Sequence, residues 1–313
     1  MEEKKIGNFG TVIVTFNRLE KLKKALTAIE RQTVLPKYVI VVNNASTDGT
    51  GDFLSEWEKE TAPFEKTIIN KPENEGGSGG FYTGLERAQS LDADWIYVSD
   101  DDAYPYDDAF LAFNQYLTTH DTTDVSSLCA AVIQYGKIAL AHRRRITCHL
   151  FTISESAVPE VEYKRDYFPC DCYSFVGVFI NKEKLRLAGL PKKEYFIQWD
   201  DTEHSIRMSK VGKIICLPAV RIDHEIEYSK NAGYQWKDYY GIRNRMNGIK
   251  CGFPLRYYVV VSVKRCFDII YCWLAPDKEF ARLLTSAAMD AWRGKLGIHS
   301  VYKPGWKPEK DRT

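Results

Sequence analysis

The strongest signal in the sequence is Trp95-Ile96-Tyr97-Val98-Ser99-Asp100-Asp101-Asp102, an apolar run that ends directly at three carboxylates. The aromatic and β-branched residues at its start predict a buried strand. The carboxylates repel one another, no cation lies beside them in the sequence, and a hard divalent cation, Mn²⁺ or Mg²⁺, stabilises such a cluster. In an extended chain Asp100 and Asp102 point the same way and Asp101 points elsewhere, so Asp100 and Asp102 are candidate metal ligands. A solvated acidic loop is the alternative.

Strands alternate with helices ahead of this stretch. Further strands are predicted at 11–15, 38–42 and 67–69, each followed by a helical pattern. In the first unit Asn17 and Glu20 resemble the capping box that begins a helix. Alternation of this kind predicts a Rossmann-like α/β fold with a mostly parallel central sheet flanked by helices. Ligands should then gather at the carboxyl ends of the strands.

A glycine-rich turn is predicted after the third strand, at Asn74-Glu75-Gly76-Gly77-Ser78-Gly79-Gly80, with a helix starting near Phe81. Glycines allow a backbone to approach a ligand closely, and a helix N-terminus attracts phosphate. The segment is neither Gly-x-Gly-x-x-Gly nor a P-loop, which argues against a dinucleotide fold and a P-loop nucleotide site. A flexible link is the alternative.

A polar turn, Asn43-Asn44-Ala45-Ser46-Thr47-Asp48, follows the second strand. Its short side chains are able to bind the base or ribose of a nucleotide. The same residue types are also what an ordinary turn and a helix N-cap require, and this alternative stays open.

Trp199-Asp200-Asp201-Thr202-Glu203 places adjacent carboxylates beside an aromatic ring. One carboxylate is suited to act as general base toward a sugar hydroxyl, and the indole is suited to stack on a sugar ring. Asp200 or Asp201 as the N-cap of the next helix is the alternative. His224 follows a strand-like stretch at 217–223 and is a candidate to complete the metal shell, although a lone histidine is more often structural.

Composition excludes some partners. Lys and Arg total 43 against 42 Asp and Glu, so the formal charge of +1 gives no reason to expect nucleic acid binding. Eight cysteines without a Cys-x-x-Cys pair, and an N-terminus without a signal-peptide core, predict reduced thiols in the cytoplasm. Cys170-Asp171-Cys172 as half of a zinc site is the alternative for two of them.

The C-terminal part is predicted to be helical. Its longest apolar run, 257–261, is far shorter than a membrane span, yet from Lys264 onward bulky apolar residues alternate with basic ones. This mixture suits a helix lying on an anionic membrane, or equally a helix packed on its own domain. We predict one domain at 1–235, with a nucleotide-sugar half at about 9–125 and an acceptor half at 126–235, and a helical region at 236–313.

Four segments together resemble the family 2 glycosyltransferases of GT-A fold over roughly residues 9–250. They are Thr15-Phe16-Asn17-Arg18, the stretch 41–48, the triple aspartate and Trp199-Asp200-Asp201-x-Glu203, in that order. The glycine-rich segment and a histidine about two dozen residues after the Trp-Asp-Asp motif are most similar to galactofuranosyltransferases. Tyr239-Tyr240-x-x-Arg243-Asn244 resembles both these and the related bacterial rhamnosyltransferases. Residues 251–313 match nothing in these families.

The resemblance implies a role for each matching residue. It gives Asp201 as catalytic base, Asp100, Asp102 and His224 as metal and diphosphate ligands, and Trp199, Asp200 and Glu203 as acceptor or sugar contacts. The nucleotide-sugar site would comprise Arg18, Asn43, Asn44, Asn74, Gly76, Gly77, Gly79, Gly80, Asp100 and Asp101. Many relatives have an aspartate where this chain has Asn43-Asn44, which leaves the contact to the base open.

The implied enzyme is an inverting, Mn²⁺- or Mg²⁺-dependent glycosyltransferase. Its donor would be a nucleotide-diphosphate sugar, with UDP-galactofuranose expected and dTDP-rhamnose the alternative. Its acceptor would be a lipid-linked glycan at the inner face of a bacterial cell membrane. Two alternatives from other functional classes remain: a nucleotidyltransferase, and a non-catalytic module that binds nucleotide sugars. The sequence does not give the oligomeric state.

Overall fold

The structure, a computed structural model, describes residues 5–226 and 233–308. Its strands are β1 (Lys5–Ile6), β2 (Phe9–Thr15), β3 (Val34–Leu35), β4 (Tyr38–Asn43), β5 (Glu65–Asn70), β6 (Trp95–Asp100), β7 (Ala103–Pro105), β8 (Val125–Gln134), β9 (Lys137–Ile138), β10 (Arg143–Cys148), β11 (Ile153–Ala157), β12 (Phe168–Cys170), β13 (Cys172–Tyr173), β14 (Val178–Asn181) and β15 (Lys213–His224). Its α-helices are α1 (Leu19–Glu30), α2 (Thr50–Trp57), α3 (Gly76–Ala88), α4 (Ala109–Thr119), α5 (Lys182–Ala188), α6 (Asp200–Val211), α7 (Trp236–Gly252), α8 (Leu255–Leu274) and α9 (Lys278–Arg293). Short 3₁₀ helices span Leu140–His142, Glu160–Lys164 and Lys193–Tyr195.

The central sheet runs in the order β12-β15-β8-β14-β6-β2-β4-β5, with β7 added to β15 and β9 to β8. Strands β6, β2, β4 and β5 pair in parallel, as do β8 and β15. β14 lies antiparallel between β6 and β8. The predicted α/β fold is confirmed, and its parallel pairing is concentrated in the N-terminal half. A smaller antiparallel sheet, β11-β10-β13, lies outside the central one.

The core lies on both faces of the central sheet. β2 and β4 are buried along their whole length, as expected for parallel strands covered by helices on both sides. Alternate residues face opposite layers: Val12 and Val14 pack in one cluster, and Ile13 packs in the other. The side-chain period of two therefore explains why helices are needed on each face.

Helix α3 begins earlier than predicted. It starts at Gly76 rather than near Phe81, so the glycine-rich segment is the first part of the helix and not a turn before it. A Cβ at Gly80 would lie 2.4 Å from Val14 Cγ1, and one at Gly84 would lie 2.3 Å from Val12 Cγ1. These glycines let α3 pack tightly on β2, and the need for close packing overrides their poor helix propensity.

The start of α1 also differs from the prediction. Its N-cap is Arg18, without a side-chain cap, so Asn17 and Glu20 do not form a capping box. The Asp48 carboxylate accepts a hydrogen bond from the Leu19 amide at 3.0 Å instead. Asn17 bonds the turn after β4 through Ser46 and Thr47. A long-range cap replaces the local one because the two turns meet at the same edge of the sheet.

The predicted C-terminal helical region is present as α7, α8 and α9, and α7 and α9 pack on each other. The boundaries proposed for domains and halves, including the one at 235, stay predictions. In the described part of the chain, no helix is long and apolar enough to cross a membrane.

Candidate functional site

The acidic cluster lies at the carboxyl end of β6. Asp101 accepts a hydrogen bond from the Thr15 hydroxyl at 2.7 Å. Arg18 Nη1 bridges Asp101 at 3.1 Å and Asp102 at 2.7 Å. The cluster therefore does have a cation, contrary to the prediction from its neighbours in sequence. Arg18 reaches the acidic cluster because it lies between β2 and α1, and β2 is the parallel neighbour of β6.

His224 meets Asp102 through the pairing of β7 with β15. That antiparallel register places His224 opposite Ala103, the residue after Asp102. His224 Nε2 lies 3.3 Å from Asp102 Oδ1. On its other side, His224 Nδ1 lies 2.9 Å from the Gln134 side-chain amide, which also contacts His142 at 3.0 Å. Gln134 and His142 thus fix the orientation of the His224 ring.

Charge and burial separate the three aspartates. Burial, reinforced by Asp102 and Asp101, holds the pKa of Asp100 well above its usual value. Burial also raises the pKa of Asp101, although Arg18 opposes this. Burial disfavours charge on Asp102 as well, but the hydrogen bond with His224 and the charge of Arg18 outweigh it and lower the pKa of Asp102. Asp102 is therefore the carboxylate best suited to stay ionised.

These residues fit a divalent cation in donor chemistry. Asp102 and His224 supply adjacent oxygen and nitrogen donors, and Asp100 accepts no hydrogen bond from residues 5–226 or 233–308. No three His, Cys, Asp and Glu side chains form a ready-made metal cluster in those ranges. Mn²⁺ and Mg²⁺ commonly use one or two carboxylates and take the remaining ligands from water and substrate phosphates. Cys170 and Cys172, the alternative zinc ligands, are both buried in strands.

Each of the three asparagines predicted to hold the nucleotide bonds another asparagine and the backbone. Asn44 is 1% exposed, and its side chain bonds Asn74, the Gly76 carbonyl and the Glu75 amide. Asn43 bonds Asn70 at 2.8 Å. Both polar atoms of the Asn44 side chain thus have partners within the protein. These residues tie together the turns that follow β4 and β5, and their contacts with a nucleotide stay predictions.

The N-terminus of α3 is similarly occupied. The Gly76 amide donates to Asn74 Oδ1 at 2.8 Å, and the Ser78 amide donates to the Phe196 carbonyl at 3.1 Å. The Gly76 amide is therefore engaged and Gly80 packs on Val14, and the contacts of these glycines with phosphate stay predictions. Gly79 is buried against Glu75, whereas Gly77 has open space beside it.

The second acidic pair lies at the start of α6. The N-cap of this helix is Trp199, and Asp200 and Asp201 are its first two residues, so neither aspartate is the cap. Asp200 is buried, while Asp201 keeps partial exposure and accepts a hydrogen bond from the Thr202 amide at 2.6 Å. Trp199 lies against Gly248 of α7.

Glu203 forms two ion pairs. It is 3% exposed and pairs with Arg207 at 2.9 Å and with Lys192 at 3.3 Å. The pair with Arg207 lies within α6, and the pair with Lys192 joins the helix to the preceding loop. A contact of Glu203 with the acceptor or sugar stays a prediction.

The two acidic groups lie near one another. Burial and Asp201 raise the pKa of Asp200 to about 7, and the charge of Asp200 helps to raise the pKa of Asp100. Burial also raises the pKa of Asp201, opposed by Arg144. The acidic cluster after β6 and the Asp200-Asp201 pair therefore interact electrostatically, and a carboxylate whose pKa is raised is suited to take up a proton.

Sequence reasoning missed three further residues of this region. Lys237 of α7 interacts with Asp100 and Asp102, although burial and Arg18 lower its pKa. A cleft of about 370 Å³ opens between Lys237 and Gln198. Lys21 lies 3.8 Å from Asp102, and Arg144 donates to the Thr202 hydroxyl at 2.6 Å beside Asp201. One indication of these residues was present in the sequence, which is that Lys237 lies close to the Tyr239-Tyr240 motif.

Solved structures share this fold. The chain superimposes on GalNAc-T7 in complex with UDP, GalNAc and Mn²⁺ with a TM-score of 0.65 at 13% identity, covering 90% of this chain and 54% of the other. It superimposes on residues 1–349 of Staphylococcus aureus TarS with UDP with a TM-score of 0.56 at 14% identity, covering 79% and 66%. The fold is therefore that of the GT-A glycosyltransferases.

Sequence comparison gives the family. The chain belongs to glycosyl transferase family 2, whose model matches residues 11–182. Galactofuranosyltransferase GlfT1 of Mycolicibacterium smegmatis is 28% identical over 207 residues, which are 64% of this chain and 65% of that protein. The Mycobacterium tuberculosis protein of the same name is 28% identical over 202 residues, 64% of each chain. The match thus spans less than two thirds of either relative.

Proposed function

We propose that this chain transfers galactofuranose from UDP-galactofuranose to a hydroxyl of a growing, lipid-linked bacterial glycan. The donor is supported by the two relatives named galactofuranosyltransferase and by the Trp199-Asp200-Asp201-x-Glu203 motif with His224. One observation carries the proposal. The charge of Asp200, at the start of α6, reaches Asp100, at the carboxyl end of β6, which is the edge of such a sheet where ligands bind.

Asp201 is the proposed base. It is the more exposed member of its pair, and burial raises its pKa, which favours proton uptake. The acceptor oxygen forms a bond to the anomeric carbon as its proton passes to an Asp201 oxygen. The bond between that carbon and the UDP oxygen breaks, and its electron pair leaves on the UDP oxygen. One direct displacement inverts the anomeric configuration.

The leaving diphosphate needs positive charge. Arg18 stands over the acidic cluster with nearly half of its side chain exposed, and Lys237 faces the same cluster from α7. Both are placed to bind the diphosphate oxygens. Asp102 and His224, with Asp100, would hold Mn²⁺ or Mg²⁺, which when bound supplies Lewis-acid stabilisation of the departing diphosphate. Positively charged groups fixed before the reaction act most strongly where water is excluded.

A donor comparison tests this function. With a galactofuranoside acceptor and Mn²⁺, UDP-galactofuranose should release UDP, whereas UDP-galactopyranose and dTDP-rhamnose should release almost none. Release of dTDP instead would assign the chain to rhamnosyl transfer. Donor binding without any release would indicate a binding module, and pyrophosphate release from a nucleoside triphosphate would indicate a nucleotidyltransferase. Each of these three outcomes contradicts the proposal.

The lipid-linked acceptor is supported by the surface of α8. Its exposed apolar stripe recurs every three or four residues and consists of Leu255, Val259, Val263, Phe267, Ile270 and Leu274. At 1.5 Å per residue the stripe is roughly 28 Å long. A hydrogen bond of 2.8 Å from Tyr257 to the His149 carbonyl joins α8 to the hairpin between β10 and β11, whose tip carries two more exposed apolar residues, Leu150 and Phe151.

Charge favours an anionic bilayer as the partner of this α8 stripe. Exposed Arg256 and Lys264 flank the stripe, and Asp268 is the acidic residue of the helix. An amphipathic helix with basic flanks lies in the plane of an anionic lipid surface. Such docking would bring a lipid-linked acceptor to the protein within the plane of the membrane.

Vesicle binding should depend on the α8 stripe. The chain should cosediment with phosphatidylglycerol vesicles more than with phosphatidylcholine vesicles, and the double variant Phe267→Glu and Ile270→Glu should reduce this at least several-fold. Both residues are more than half exposed, so folding should be unaffected. Leu187→Glu on α5, equally exposed but outside the stripe, is the matched control. Equal loss in the control, or no loss in the double variant, would refute membrane docking through α8.

A further inference from the structure

The segment before α6 has a strained backbone. Phe196, Gln198 and Trp199 have φ values of 66°, 68° and 69°, in the left-handed region that side chains other than glycine rarely adopt. At Phe196 the ψ value is −60°, and the Ile197 amide donates to the Tyr195 carbonyl at 2.8 Å, which is a γ-turn of the uncommon, strained hand. Such strain persists only where surrounding contacts enforce it.

Helix α7 supplies those contacts from one side. The Asn244 side-chain amide nitrogen lies 3.0 Å from the Tyr195 carbonyl, 3.0 Å from that of Ile197 and 2.8 Å from that of Gln198. Arg243 donates to the Tyr195 carbonyl at 3.2 Å and also to Asn244 Oδ1 at 3.0 Å, which fixes the amide orientation. Both side chains are buried.

Helix α3 supplies the contact from the other side. The Phe196 carbonyl accepts a hydrogen bond from the Ser78 amide at 3.1 Å. A Cβ at Gly76 would lie 1.9 Å from that carbonyl oxygen, so glycine is required there for the segment to approach. The strained segment is thus held between α3 and α7.

We propose that Asn244, supported by Arg243, is a positioning residue that sets the Asp201 carboxylate for reaction. The segment it holds ends at Trp199, and α6 starts with Asp200 immediately afterwards. Asn244 and Arg243 act through the backbone of 195–199 and not by touching the substrate. The inference rests on the proposed function, because it assigns to the helical region a task in the chemistry at Asp201.

Kinetics of Asn244→Ala test the proposal. The change removes the donor to three carbonyls, so kcat should fall by roughly ten- to a hundred-fold, while the donor KM and UDP affinity stay within about twofold because Arg18 and Asp102 are untouched. Gln32→Ala is the matched control: it removes another buried side-chain amide that donates to backbone carbonyls, those of Ala28 and Tyr106, outside the contacts of 195–199. The control should lower the melting temperature and keep kcat.

A double-variant cycle separates positioning from general stability. In an Asp201→Asn background, Asn244→Ala should produce little further loss, since the group it positions is already disabled. Full additivity would overturn the proposal, as would an unchanged kcat in Asn244→Ala or an equal kcat loss in Gln32→Ala at similar melting temperature. Full activity in the Asp201→Asn single variant would refute the proposed base and not the role of Asn244. The effect of Asn244→Ala on the wild-type protein would then still test that role.

Discussion

Replacing Asp201 with asparagine should lower kcat by roughly a hundred- to ten-thousand-fold, the usual contribution of a positioned general base. The amide keeps the shape and the hydrogen bond from the Thr202 amide, but it cannot accept the acceptor proton. Because Asp201 acts on the acceptor, UDP affinity measured by calorimetry should change little. Turnover by the variant near the wild-type rate would remove Asp201 from the mechanism.

Asp200→Asn is the matched control, since it changes the adjacent carboxylate of the same helix turn. Asp200 is buried, so this variant should keep turnover well above that of Asp201→Asn. A base works only when ionised, and burial raises the pKa of Asp201, so activity should fall as pH drops through that raised value. Burial and Asp201 raise the pKa of Asp200 to about 7, so Asp201 is the first of the pair to ionise, and Asp200→Asn should leave this acid limb in place. A clear shift of the limb in Asp200→Asn would contradict the assignment.

Removing divalent cations should abolish turnover, and Mn²⁺ or Mg²⁺ should restore it. Asp102→Asn should weaken Mn²⁺ binding, measured by calorimetry, by at least roughly ten- to a hundred-fold. Loss of a residue that only supports a metal ligand already has an effect of this size. Binding should weaken because Asp102, adjacent to His224 at 3.3 Å, is the one member of its cluster whose pKa is lowered. It is therefore the carboxylate that stays ionised for a cation.

Asp223→Asn is the control for this change. Asp223 precedes His224 on β15, and neighbouring residues of a strand point to opposite faces, so its carboxylate should not reach the same cation. This variant should retain the wild-type response to Mn²⁺. Full activity after exhaustive chelation, or an unchanged Mn²⁺ affinity in Asp102→Asn, would refute metal dependence through this site.

Local patterns were sufficient for the first half of the fold. Runs of β-branched residues and apolar residues at helical spacing predicted β2, β4, β6 and the helices between them, because both signals depend only on neighbours in the chain. The same reasoning was wrong about the start of α3. Its glycines, poor helix formers by themselves, are helical because β2 leaves no room for larger side chains.

The functional site, like the fold, was predicted only in part from local sequence patterns. The sequence by itself determined which residues carry chemistry: the carboxylates at the end of β6, the pair after Trp199, and His224. Only the tertiary structure decided their partners, because contacts such as Arg18 with Asp102, Asn44 with Asn74, and Asn244 with the 195–198 carbonyls join residues distant in the chain. Residue type limits what a side chain can do, whereas strand order and helix packing select which groups it meets.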